Sequence, residues 1–229
     1  MNNDILYEHK DHAYFSFVRT DIGPLLPSQS NEVIELGCGD GNTLAWLKEL
    51  GYARHTTGME LCAEPAAQAR KKIDRVIEGD LQSALPQLEK ESFDMVLCLD
   101  VLEHLNDPWT TVKQLYSLLR PGGSIVISVP NIRHYSVLLP LLWHGTWRYQ
   151  DAGIMDKSHL RFFSRESAQE MLTENGFNIT ASIDNGLSVN RKKEFWKAIV
   201  ARTSWRDLCV FQFLIRAEKP LNHASIGVT

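Results

Sequence analysis

A chain of 229 residues, 44% hydrophobic and 23% charged, has the composition of a soluble protein and enough length to bury a full core. Its net charge of −4 gives no reason to expect a nucleic-acid partner, and its four scattered cysteines form no zinc spacing or C-x-x-C pair. The N-terminus is too polar and acidic for a signal peptide and no apolar run has transmembrane length, so a cytoplasmic protein is expected.

In chain order the pattern alternates strands and helices, as in a parallel sheet covered on both faces. Residues 1–30, with Tyr7, Tyr14, Phe15 and Phe17, are expected to form an N-terminal helical cap. Strands are predicted at 32–36, 54–59, 75–78 and 93–99, the last a near-continuous apolar run of the kind buried on both faces. Helices are predicted at 42–50, 65–72 and 107–119, the third stopped by Arg120-Pro-Gly-Gly123, with a strand at 124–129. The alternation then breaks. Residues 131–163 hold six aromatic residues and three histidines with little periodicity, and read as an irregular substrate-side insertion. A helix capped by Ser164 and stopped at Gly176 follows, then strands near 177–183 and 207–217. A basic stretch, 191–197, lies between those strands, and 220–229 reads as a flexible tail of a single 1–229 domain.

The most informative segment is Val33-Ile-Glu-Leu-Gly-Cys-Gly-Asp-Gly41. A strand runs through a tight glycine turn into a helix, which is the entrance to a nucleotide-binding α/β unit. Asn42 stands where a dinucleotide fingerprint would need its third glycine. Glu35 lies ahead of the first glycine, where a carboxylate repels a pyrophosphate but pairs with an ammonium group. Farther on, Glu60 ends the second strand about twenty residues beyond the turn, and Gly79-Asp80-Leu81 follows the third. Read alone, Glu60 and Asp80 are equally well solvated loop acids. Together with Phe93–Leu105 and Leu119-Arg-Pro-Gly-Gly123, the set resembles motifs I to V of the class I S-adenosylmethionine (SAM) methyltransferases. The resemblance covers about residues 30–130. It implies a Rossmann-like seven-stranded α/β sheet in the order 3-2-1-4-5-7-6 with strand 7 antiparallel. It also implies SAM as cofactor, S-adenosylhomocysteine (SAH) as product, and a cofactor site made of Glu35, Gly37, Cys38, Gly39, Gly41, Glu60, Leu61, Asp80, Leu81 and Leu99.

Methyl transfer needs donor and acceptor held at near-attack distance, and a hydroxyl acceptor also needs a base. His159 lies in Asp156-Lys-Ser-His-Leu-Arg-Phe-Phe-Ser164, which resembles a segment of the bacterial branch grouped with the ubiquinone-biosynthesis O-methyltransferases. His159 is the first candidate base and His104 the second; the alternative is that His159 braces the following helix while Phe162 and Phe163 pack in the core. Asp100, Glu103 and His104 would meet on a helical turn as a set suited to a divalent ion, although the expectation is no metal. His134, Tyr135, Trp143, Trp147 and Arg161 are the candidate acceptor-side residues, with Arg161 suited to an acidic group. The aromatic insertion has the length of a lid, whose apolar face is either packed on its own domain, over a greasy acceptor or on a membrane surface. Tyr7 and Tyr14 are candidates to close over the sulfonium or to pack in the core. The function expected is methylation, at oxygen, of a small-molecule or lipid- or sugar-linked acceptor. The alternatives are an N- or C-methyltransferase and a non-catalytic SAM- or SAH-binding regulator.

Overall fold

The computed structural model describes residues 15–186 and 205–221. Tyr7, Tyr14, the basic stretch 191–197 and most of the tail lie outside the described residues. The strands are β1 (Ser30–Leu36), β2 (Ala53–Glu60), β3 (Arg75–Glu78), β4 (Phe93–Leu99), β5 (Leu119–Pro130), β6 (Asn178–Asn185) and β7 (Gln212–Glu218). Their order is β3-β2-β1-β4-β5-β7-β6, with β1 to β5 parallel and β7 antiparallel to both neighbours. This is the expected class I methyltransferase sheet.

The side-chain period of a strand explains how β4 organises the core. Val96 and Cys98 point into one layer with Val112, Leu115 and Leu172, while Met95, Leu97 and Leu99 point into the other with Leu44 and Leu47. The first layer is covered by helices α4 (Pro108–Leu118) and α6 (Arg165–Glu174), the second by α1 (Asn42–Glu49) and the 3-10 turn Thr20–Leu25. Two short helices, α2 (Ala63–Ala69) and α3 (Leu81–Ala84), follow β2 and β3. Ser164 caps α6 as predicted: its hydroxyl accepts from Ser167 N at 3.2 Å, and Ser167 Oγ returns the bond to Ser164 N.

Three boundaries differ from the sequence reading. The strand expected at 124 begins at Leu119, whose buried side chain pairs its residue with Phe93 while residues 120–123 loop out before Ser124 pairs with Met95. The last strand starts at Gln212, because Arg206–Cys209 is a 3-10 turn in which Asp207 pairs with Arg165 and Arg206 with Asp184. The insertion is not irregular throughout: it contains α5 (Tyr135–His144), capped by His134 and closed by Gly145 at φ +60. A run of Val, Leu, Pro and Trp has no polar face, so amphipathic periodicity cannot reveal it.

Candidate active site

A cavity of about 460 Å³ opens beyond the carboxyl ends of β1, β2 and β4. Open α/β sheets bind ligands at that edge. The predicted Glu35, Gly37, Cys38, Gly39, Glu60, Leu61, Asp80, Leu81 and Leu99 all line it. Gly41 is not among the residues lining it. It lies at the start of α1 with φ +76, where an added Cβ would press on Ala69 and Ile73, so it serves helix packing.

The glycine turn is held from two sides. From inside, Glu60 accepts Gly39 N at 2.8 Å and Cys62 N at 2.9 Å, which fixes its carboxylate while leaving lone pairs toward the cavity. From outside, the segment 15–19 crosses over the turn. Phe15 O accepts Asp40 N at 2.9 Å, Ser16 O accepts Asn42 Nδ2 at 2.9 Å, and Arg19 N donates to Thr43 Oγ1 at 3.2 Å. Gly39 has φ +52, and a Cβ there would overlap the Phe15 carbonyl. Gly39→Ala is therefore expected to lift this segment, at about 1–2 kcal/mol for the backbone conformation alone. Calorimetry should show SAM affinity reduced at least tenfold while circular dichroism still reports a folded sheet.

Glu35 is 3% exposed, and its Oε2 has no hydrogen-bond partner. Burial drives its carboxyl up to about 8, against the opposing pull of Arg19 and with help from Glu60. An acid in that condition stabilises a cation brought to it, as an aminoacid ammonium group would be. Asp80 caps α3 by accepting Ser83 N at 3.0 Å, and stands at the cavity wall next to Leu81. Burial also pushes the Cys38 thiol upward, so it is an inert apolar wall and not a nucleophile.

The structure divides the expected Asp100–Glu103–His104 set. Asp100 takes φ +56 at the end of β4, and residues 102–104 form a 3-10 turn, so the three do not share an α-helical face. Its carboxylate accepts Arg19 Nη1 at 2.7 Å and Ser128 Oγ at 2.9 Å, and also bonds Gln212. Glu103 and His104 instead meet His159, one ligand-type atom of each lying within 4.8 Å of the others. Leu160 N and Arg161 N donate to the Glu103 carbonyl at 2.7 and 3.0 Å, docking the His159 segment on this turn.

The tautomers follow from the partners. His104 Nδ1 faces the Ser158 carbonyl at 3.2 Å and His159 Nδ1 faces the Ile154 carbonyl at 2.9 Å. A carbonyl only accepts, so each Nδ1 carries the proton and Nε2 is the basic nitrogen. The rings meet edge to face at 4.8 Å. His104 lines the cavity and His159, 8% exposed, stands behind it. Glu103 is 1% exposed with neither carboxylate oxygen hydrogen-bonded, and burial beside Asp100 raises its carboxyl well above the usual range.

None of the acceptor-side candidates lines this cavity. Arg161 places its guanidinium on the Asn106 carbonyl and over the Trp109 ring, at 5.7 Å. His134 caps α5 and packs on Tyr135 and Phe211. Trp147 lies edge-on to Phe162 at 5.4 Å, and Trp143 is 71% exposed. Sequence reasoning missed Phe17, Arg19, Thr43, Met59 and Val101 in the wall. Arg19 and Thr43 carry no local motif and are brought in only by tertiary folding.

A family model described as a methyltransferase domain matches residues 7–182. The chain belongs to the methyltransferase domain family. It is 29% identical over 188 residues to the mitochondrial ubiquinone biosynthesis O-methyltransferase of Rattus norvegicus, covering 77% of this chain and 52% of that protein. It is 28% identical over 197 residues to the ubiquinone biosynthesis O-methyltransferase of Pseudomonas aeruginosa, covering 74% and 83%. The chain thus spans about half the length of its mammalian relatives. Its fold is similar to that of a SAM-dependent methyltransferase from Archaeoglobus fulgidus, with a TM-score of 0.62 at 18% identity, over 96% of this chain and 100% of the other. The 4+2 cyclase SpnF is also similar, with a TM-score of 0.57 at 15% identity over 96% and 80%. The fold therefore does not fix the reaction by itself. SAM is the cofactor of this methyltransferase domain, and Glu35, Gly39, Glu60 and Asp80 line one cavity at the sheet edge.

Proposed function

We propose that the protein transfers the methyl group of SAM to a hydroxyl oxygen of a small-molecule or lipid- or sugar-linked acceptor, with His104 as general base. The supporting observation is one imidazole at the wall of the cofactor cavity, with its Nδ1 committed to the Ser158 carbonyl and its Nε2 left basic. SAM supplies a sulfonium methyl. With SAM bound, the acceptor oxygen would take the methyl carbon as the carbon–sulfur bond breaks and SAH leaves as a neutral thioether. The hydroxyl proton passes to His104 Nε2. His159 packs edge-on against the base, and Glu103 gives its new charge a nearby carboxyl. This moves the primary base from His159 to His104 and makes His159 a positioning residue.

The relatives named as ubiquinone biosynthesis O-methyltransferases favour oxygen as the accepting atom. SAH formation from SAM with a panel of phenols, catechols and amines tests this. Catechol or phenol turnover is expected. Turnover of amines alone would replace the oxygen reading, and tight SAM binding with no SAH from any acceptor would favour the regulator. A second reading arises from the two unbonded Glu103 oxygens. With His104 and His159 they form a donor set that fits a divalent cation, which would supply Lewis-acid activation of the acceptor hydroxyl. Activity lost to a chelator and restored by added metal supports this second reading, whereas unchanged activity removes it.

A further inference from the structure

Residues 151–159 form no helix or strand, yet both histidine rings of the site take a hydrogen-bond partner from this stretch. The chain here folds on itself through its backbone. Gln150 N donates to the Met155 carbonyl at 2.7 Å, Lys157 N to the Gln150 carbonyl at 2.9 Å, and Asp156 N to the Gly153 carbonyl at 3.0 Å. Ile154 and Met155 bury the apolar side of the turn with Val137.

Asp156 lies at the centre of this turn, 7% exposed, where a carboxylate needs hydrogen bonds to stay. Its Oδ1 accepts from Ser158 N at 2.9 Å and from Ser158 Oγ at 2.6 Å, and its main-chain carbonyl accepts His159 N at 3.0 Å. The N–H and C=O of a trans peptide point in opposite directions. With His159 N held on Asp156, the Ser158 carbonyl of the same peptide points away from it, and there it meets His104 Nδ1 at 3.2 Å. The Ile154 carbonyl meets His159 Nδ1 at 2.9 Å, and the two rings lie edge to face. One turn thus presents a carbonyl to each ring. An imidazole that loses such a partner is able to carry its proton on either nitrogen, and in the Nε2–H form it cannot take a proton at Nε2.

We propose that Asp156 is a positioning residue: by gripping residue 158 it holds His104 in the Nδ1–H tautomer, with Nε2 basic. The proposal rests on the reading of His104 as general base. An amide oxygen can accept the same two bonds from Ser158, so the role is one of shape and not of charge. The test is nitrogen NMR of the full chain labelled at histidine, with the His104 signals assigned by their loss in His104→Gln, beside SAM affinity and SAH formation from SAM and catechol. Asp156→Ala should give a mixture of His104 tautomers and lower kcat on the order of 10- to 100-fold, with SAM affinity unchanged. Asp156→Asn should restore both. Asp156→Glu keeps the charge but moves the oxygens, so it should behave like Asp156→Ala, and it carries the test if the alanine variant does not fold. A wild-type tautomer in the alanine or glutamate variant, or an asparagine variant as impaired as the alanine one, would overturn the proposal. A changed tautomer with unchanged kcat would instead overturn the general-base reading and leave the grip of Asp156 on His104 established.

Discussion

Glu35→Gln is expected to make the ligand-free protein more stable at neutral pH and nearly unable to bind SAM. The two effects have one origin. In the folded chain the carboxyl titrates near 8, raised by burial from 4.5. Between those values the folded acid keeps a proton that the unfolded one has released, so stability falls as pH rises through this window. By pH 7 the penalty is roughly 3 kcal/mol. Glutamine removes it but still buries a polar amide, so the net gain is smaller, on the order of 1–2 kcal/mol. Thermal melts should show variant and wild type alike near pH 4 and diverging up to pH 8. Calorimetry should show the variant binding SAM about 100-fold more weakly, through the lost charge pair. In the wild type, SAM binding below pH 8 should release a proton, so its measured enthalpy should vary with the buffer. A stability difference independent of pH would show that Glu35 is already ionised and paired in the empty site.

His104→Gln is expected to lower kcat by about 10²- to 10⁴-fold, the usual worth of a positioned base, with little change in SAM affinity. His159→Gln should cost less, because its ring reaches the cavity only through His104. The two losses should not add, since both residues act through one proton acceptor. The pH–rate profile separates catalysis from packing: wild type and His159→Gln should retain an acid limb that His104→Gln lacks. If His159→Gln proves the more damaging, the base is His159 after all and the cavity must open toward the insertion when the acceptor binds.

The wall of the sheet-edge cavity was legible in the sequence because each part of it is local. A positive-φ turn needs glycine at 37 and 39, and an acid at the end of a strand lands at the sheet edge, as Glu35 and Glu60 do. Gly41 looked the same in sequence, but its constraint is the neighbouring helix α2. The acceptor half was less legible, because its geometry comes from long-range contacts. His159 meets His104 only because Leu160 and Arg161 dock on the Glu103 carbonyl, across more than fifty residues. Asp100 leaves its predicted partners because a left-handed backbone turns it to Arg19, which no spacing rule anticipates. Helix α5 was hidden for the opposite reason, being apolar on every side.

The segment 15–19 that lies across the glycine turn has a kinetic consequence. Its bonds to Asp40, Asn42 and Thr43, and the Arg19–Asp100 ion pair, close the donor side of the cavity. Under the proposed methyl transfer, donor entry and product departure would require those links to break. Opening of that strap is then expected to limit turnover at saturating acceptor, and stopped-flow measurement of SAH release in wild type and Asp100→Asn checks this: faster release is expected from the variant.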